Sequence, residues 1–173
     1  MKKDLFAKRA SVRKFKPDEI DDSIIEKLLF AAAEAPSAGN KQPWHFYVVK
    51  DEEIKAKLSE YSLNQTFIQT APIVIVVCAE PSLSSEKYAE RGIELYCIQD
   101  TAAAIENILL CATQNDLGAC WCGAFDENLV REAVSAPETR RPIAVIPVGY
   151  PDSSVIDKPK PKRRPMENIA TFL

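Results

Sequence analysis

The sequence predicts an α+β fold of three layers, with helices packed on both faces of one central sheet. Three observations predict it. Residues 24–32 place Ile24, Ile25, Leu28, Leu29 and Ala32 at helical spacing. Residues 73–79, IVIVVCA, are apolar throughout, as in a strand buried on both faces. Helical and strand patterns then mix along 173 residues, enough for one domain with a real core.

Taken in order, residues 4–9 read as a short helix leading into Arg9-Ala-Ser-Val-Arg13. The next helix is expected to begin near Ser23, where Ser23-Ile-Ile-Glu26 has capping-box spacing. Pro36 ends it, because proline disfavours the helical conformation of the residue before it. Trp44–Val49 is a strand, Asp51–Tyr61 a surface helix and Ile73–Ala79 a second strand. A long helix is expected from about Glu86 to Asn115. Its small face (Ala102, Ala103, Ala104) suits a close helix partner, and its length favours a dimer interface. Gly118 is read as a left-handed cap closing it. A short apolar run from Ala119 to Phe125, a helix from Glu127 to Val134 and a last strand from Arg141 to Tyr150 follow. The segment after Tyr150 carries Pro151, Pro159, Pro161 and Pro165, an extended arm that packs little of its own surface. Residues 1–173 are therefore expected to form one domain, with about 152–173 reaching a partner subunit.

Composition excludes several functions. The five cysteines are odd in number and lie mostly within apolar patterns, which argues against a disulfide framework. The single histidine, His45, weakens a Ser-His-Asp triad and a His-based metal site alike, so no metal is expected. No stretch approaches the ~20 apolar residues of a membrane helix. Met1-Lys2-Lys3-Asp4 leads into no apolar signal core, so a cytoplasmic chain is expected. The net charge of −3 conceals basic ends. Residues 1–16 hold seven cations and 158–165 hold five, together twelve of the chain's 22. Solvated termini are the plain reading; convergence of both ends on one anionic ligand is the sharper one. Nucleic acid is a poor candidate, since the acidic body would repel it.

The five glycines form neither GxGxxG nor a Walker loop, so side chains must hold any phosphate. Arg9, Ser11 and Arg13 can do so, pointing one way if the segment is extended. Between helix and strand, APSAGNKQP at 35–43 is longer than a connection needs. Its Ser37, Gly39, Asn40 and Gln42 offer donors, acceptors and bare backbone to something flat or polar.

These motifs carry a resemblance. Arg9-Ala-Ser-Val-Arg13-Lys-Phe, Ala35-Pro-Ser-Ala-Gly-Asn-Lys-Gln-Pro-Trp44, Asn64-Gln65 before Ala71-Pro72, Leu117-Gly118…Trp121-Cys-Gly-Ala124 and Val148-Gly-Tyr-Pro151 occur in the order typical of nitroreductase-like flavoproteins. The chain resembles a short member of that family over almost its whole length. The resemblance implies a mixed central sheet flanked by helices and an intertwined homodimer with FMN at the subunit interface. NADH or NADPH would be the electron donor and a small electron-poor molecule, such as a nitroaromatic or quinone, the acceptor.

Carried over by motif, Arg9 and Ser11 resemble phosphate ligands, and Arg13 resembles the cation near the N1/O2 edge of the flavin. Pro36, Ser37, Ala38 and Asn40 resemble the loop under the ring and ribityl chain. Asn64 resembles the amide at the ring edge. Gly123, with Ala124, resembles the backbone facing N5, so no side chain is assigned as catalytic. In the arm, Arg163 matches the phosphate-binding position, with Lys162 and Arg164 as neighbouring alternatives. Ala10 replaces a second basic residue common in the family. Cys122 stands where a larger apolar residue such as Met is frequent. Beside N5 it would tune the flavin or react with oxidants; the alternative is a small buried filler. Relatives with specialised flavin chemistry, and a flavin-binding or redox-sensing protein without turnover, are the rival functions.

Overall fold

In the computed structural model, residues 4–155 and 161–173 are described. Lys2, Lys3, Lys158 and Lys160, counted above among the basic ends, and Pro159 of the arm lie outside them. The elements are α1 (Leu5–Lys8), α2 (Asp22–Ala33), β1 (Trp44–Val49), α3 (Glu52–Tyr61), β2 (Ile73–Ala79), α4 (Pro81–Arg91), α5 (Cys97–Gln114), β3 (Gly118–Ala119), α6 (Glu127–Ala133) and β4 (Arg141–Gly149).

The sheet has the order β1-β2-β4-β3, and its named strands pair antiparallel. A parallel component enters as the bridge between Ser11 and Ala119. Side chains alternate along a strand, and β2 separates two cores accordingly. Ile73, Ile75 and Val77 pack with Leu28, Ile105 and Ile108 of α2 and α5. Val74, Val76 and Cys78 pack with Leu58 and Val130 of α3 and α6 on the other face. The result is the expected three-layer α+β arrangement. Among the described residues, no helix is long and apolar enough to cross a membrane.

Three local expectations are corrected. The N-cap of α2 is Asp21, not Ser23: its carboxylate accepts from the Ser23 N–H at 2.8 Å and so satisfies one of the first turn's orphan donors. The left-handed residue after α5 is Asp116, with φ 57°. Gly118 instead lies in β3, where a Cβ would stand 2.6 Å from Val12 Cβ, so glycine permits a close approach rather than a cap. The long helix is also interrupted. Ala89 adopts φ 48°, ψ −136°, and a π-helical turn over Gly92–Tyr96 joins α4 to α5. A rod through the whole 86–115 stretch would be about 45 Å long; the bend lets α4 fold back and meet the 36–42 loop.

Candidate active site

Two strands lie side by side at one end of the sheet. After α1 the chain runs extended. The Val12 N–H donates to Ala119 O at 3.0 Å, Lys16 N–H to Tyr150 O at 2.8 Å, and Asp152 N–H to Lys14 O at 3.0 Å. Residues 11–16 are thus laid between β3 and the chain leaving β4. Alternation puts Arg9, Ser11 and Arg13 on one side. Arg9 is half-buried, with Nε 3.8 Å from Glu106 Oε1 of α5. Ala10 and Ser11 are exposed. Arg13 is exposed too, its guanidinium 5.8 Å from the centre of the Phe67 ring, a cation–π contact.

The second strand continues from β3. Cys122 and Val145 exchange both backbone hydrogen bonds at 3.0 Å, and the Cys120 N–H donates to Pro147 O at 3.3 Å. Cys120 and Cys122 therefore turn into the core while Trp121 turns outward. Gly123 and Ala124 then reach the surface, and no described residue accepts from the Gly123 N–H. The Gln65 amide approaches Ala124 O at 3.5 Å. Asn64, left-handed at φ 55°, lines a cleft of about 400 Å³ with Lys57 and Glu60 of α3.

Electrostatics couple these strands. The Cys122 thiol donates weakly to the Cys120 carbonyl, at 4.0 Å; the influence of the Cys122 side chain, with the nearby Arg13 and Arg9 guanidiniums, outweighs burial and pulls the Cys120 thiol down to about 7. Cys122 is pushed up, first by the neighbouring Cys120 side chain and then by burial.

The 35–43 loop is built on a different face of α5. The Ala38 N–H sits 3.1 Å from both Asp100 carboxylate oxygens. Asp100 is 8% exposed, and burial raises its pKa despite that hydrogen bond. The Ser37 hydroxyl accepts from the Gln42 N–H at 2.9 Å. Gly39 takes positive φ, 59°, as glycine does freely; Asn40 and Gln42, at 56° and 49°, are strained in a way that persists only where surroundings impose it. Tyr88 and Lys87 of α4 lie directly against Gly39, and Lys41 pairs with Glu86 at 2.6 Å. Pro36 and Asn40 are exposed, Ser37 and Ala38 half-buried.

The structure thus pairs the strand of Arg9, Ser11 and Arg13 at Ala119 with the strand that runs on through Cys122 to Gly123 and Ala124, and holds Pro36, Ser37, Ala38 and Asn40 on a separate loop. Asp100 and Glu106, which mark the two places on α5, are about 120° apart around the helix at roughly 100° per residue. Lys162, Arg163 and Arg164 are exposed, and the Arg164 guanidinium donates to Asn168 O of its own segment. The arm carries Met166, Ile169, Phe172 and Leu173 exposed. Sequence reasoning missed Phe67 under Arg13 and Asp100 under the loop. An aspartate within the otherwise uncharged QDTAAAI run was the available signal for the second.

The family model of the nitroreductase family matches residues 6–68 and 60–150. The chain belongs to that family. Nitroreductases of this type are oxidoreductases, and three comparisons place the chain among them. An Archaeoglobus fulgidus protein provisionally named NADH dehydrogenase/NAD(P)H nitroreductase is 42% identical over 147 residues, covering 83% of this chain and 81% of that protein. The crystal structure of an FMN-dependent nitroreductase from Clostridium difficile superposes with a TM-score of 0.78 at 27% identity, covering 97% and 96% of the two chains. An iodotyrosine deiodinase of Thermotoga neapolitana is 29% identical over 196 residues, covering 98% of this chain and 96% of its own.

The residues present fit a flavin mononucleotide. Arg9, Ser11 and Arg13 supply cations and a hydroxyl on one edge, and forked guanidiniums match phosphate oxygens. The exposed Gly123 N–H has no acceptor among the described residues. Small residues at 123 and 124 leave the backbone open to a flat surface.

Proposed function

We propose that the chain is an FMN-dependent NAD(P)H oxidoreductase of nitroreductase type. The observation that carries this reading is the Arg9-Ser11-Arg13 strand, paired at Ala119 with the strand that runs on to the exposed Gly123-Ala124 backbone. When bound, FMN would supply the hydride chemistry at N5 between NADH or NADPH and a nitroaromatic, quinone or similar electron-poor acceptor, in ping-pong order. Arg9 and Ser11 hold the phosphate, and Arg13 stabilises negative charge at the N1/O2 edge. The Gly123 N–H orients the ring at N5, and Asn64 contacts the ring edge.

The site is completed by a second copy of the chain. Its 36–40 loop covers the ring, which accounts for the two groups of residues lying on different faces of α5. The arm from about residue 152 reaches that copy, burying Met166, Ile169, Phe172 and Leu173 and offering Arg163, or Lys162 or Arg164 beside it, to the phosphate. The protein is one domain and works in the cytoplasm without metal or nucleic acid.

The deciding experiment is anaerobic titration of the purified yellow protein with NADH and NADPH, followed by turnover on a panel of nitroaromatics, quinones and iodotyrosine. Bleaching of the flavin bands and turnover support the reading. A colourless protein whose Tm is unmoved by FMN refutes it. Bound flavin that neither nucleotide reduces favours a flavin-binding sensor instead, and turnover confined to iodotyrosine favours the deiodinase chemistry of the Thermotoga relative. Arg9→Ala and Arg13→Ala should each weaken FMN binding about tenfold or more, as loss of a charge-assisted bond predicts.

A further inference from the structure

Arg13 is an exposed cation held by a ring face. Its guanidinium lies over Phe67, 5.8 Å from the ring centre, and among the described residues no carboxylate pairs with it. Arg9, two residues earlier, is instead paired with Glu106. Both kinds of contact limit how far a long side chain wanders, but they leave different charges behind. A carboxylate neutralises much of the cation it holds. An aromatic face attracts the cation through its quadrupole and carries no net charge, so the positive charge stays available to a third group.

Phe67 is itself fixed. It is half-buried against the core that contains Phe15, Ile68 and Cys120. The turn over residues 62–71 that carries it is pinned to α3 at two points. The Ser59 hydroxyl donates to Gln65 O at 3.1 Å, and Lys55, only 3% exposed, donates through Nζ to Ala71 O at 2.8 Å. Within the turn, the Ile68 N–H donates to Gln65 O at 2.9 Å and the Thr70 hydroxyl to Phe67 O at 3.3 Å. The Gln65 amide also approaches Ala124 O at 3.5 Å. One turn therefore meets the cationic strand at Arg13 and the exposed backbone at Ala124, and its ring sets where the Arg13 charge stands.

We infer that Phe67 is a positioning residue of the candidate site: its ring holds the Arg13 guanidinium ready for a ligand and leaves its charge undiminished. The identity of that ligand rests on the FMN reading, in which Arg13 faces the edge of the flavin ring. Phe67 acts through Arg13 and needs no contact with flavin or substrate. An arginine moving freely in water gives up rotamer freedom when a ligand captures it. One already lying on a ring has given up part of that freedom beforehand, so capture costs less.

Two variants separate the ring face from mere bulk. Phe67→Leu removes the face and keeps an apolar side chain, whereas Phe67→Tyr keeps the face. Dissociation constants for FMN and riboflavin are measured by fluorescence titration of the full-length protein freed of flavin. Phe67→Leu should weaken both by about two- to fivefold, the change that a cation–π contact at an exposed site carries, because both ligands share the ring edge. Phe67→Tyr should bind as the wild type does. In an Arg13→Ala background, Phe67→Leu should change nothing further, which is the coupling a double-mutant cycle isolates. Unchanged affinity in Phe67→Leu, an equal loss in the Arg13→Ala background, or Phe67→Tyr as weak as Phe67→Leu overturns the inference.

A measurement on the flavin-free wild type covers the case in which Phe67→Leu fails to fold. In isotope-labelled protein, the Arg13 Nε–H resonance, assigned by its loss in Arg13→Lys, should lie upfield of free arginine because of the ring current. A resonance at the free-arginine position overturns the inference. If the wild type binds neither FMN nor riboflavin, the FMN reading falls, and the resonance still decides whether Phe67 holds Arg13.

Discussion

Asp100 offers a sharp test of how the 35–43 loop is held. Its carboxylate reaches the Ala38 N–H with both oxygens at 3.1 Å, and it is buried within α5. Asp100→Ala removes the acceptor and leaves a half-buried amide without a partner, which costs about 1–2 kcal/mol. For a domain of this size that corresponds to a fall in Tm of roughly 2–8 °C. Asp100→Asn keeps a carbonyl oxygen for the same bond and discards the buried charge. It should match or slightly exceed wild type at neutral pH.

The pH dependence follows from the sign of the shift. Because burial raises the folded-state pKa of Asp100, the native state holds its proton to higher pH than the unfolded chain does. The ionised group therefore costs stability above that pKa, and the cost disappears as pH falls through it. Any advantage of Asp100→Asn over wild type should shrink on acidification. Urea melts of the three proteins across acid to neutral pH measure both effects. If Asn is as damaging as Ala at neutral pH, or if Ala costs nothing, the loop is held by something other than this hydrogen bond.

Two further outcomes are expected. Gly118→Ala places a methyl 2.6 Å from Val12 Cβ and should cost about 1–3 kcal/mol in a urea melt, with Val12→Ala on the same background restoring part of it. Asp152 is pulled down to about 2, first by hydrogen bonds from the Ser154 hydroxyl and N–H and then by Lys14. Its hold on the chain after β4 should persist above the ordinary carboxylate pKa and be lost as pH falls from about 4 towards about 2, seen as loss of amide protection at Ser154.

The sheet was legible because its strands are strongly patterned: Trp44–Val49 and Ile73–Ala79 match their predicted bounds, and apolar side chains cover both faces of β2. Helix ends were less so. Asp21, Asp22 and Ser23 can all cap, and the choice depends on where the first turn packs. The kink at Ala89 was invisible, since alanine is a strong helix former and only contact between α4 and the loop makes the bend worthwhile. In the candidate site, Arg9, Ser11 and Arg13 could be aligned from their spacing alone. Phe67 could not, because its contact with Arg13 joins segments more than fifty residues apart.

The bed on which Arg13 lies has a consequence for how the polypeptide is made. Residues 11–16 emerge early from a ribosome, yet their hydrogen-bonding partners are Ala119, Tyr150 and Asp152. Through most of translation this leading stretch has nothing to pair with, and it is fixed only when the trailing portion of the chain arrives. Such pairing between distant segments slows folding. The first part of the candidate site to be synthesised is thus among the last to be built, and a nascent chain halted before residue 119 would carry its two arginines without the strand that aims them.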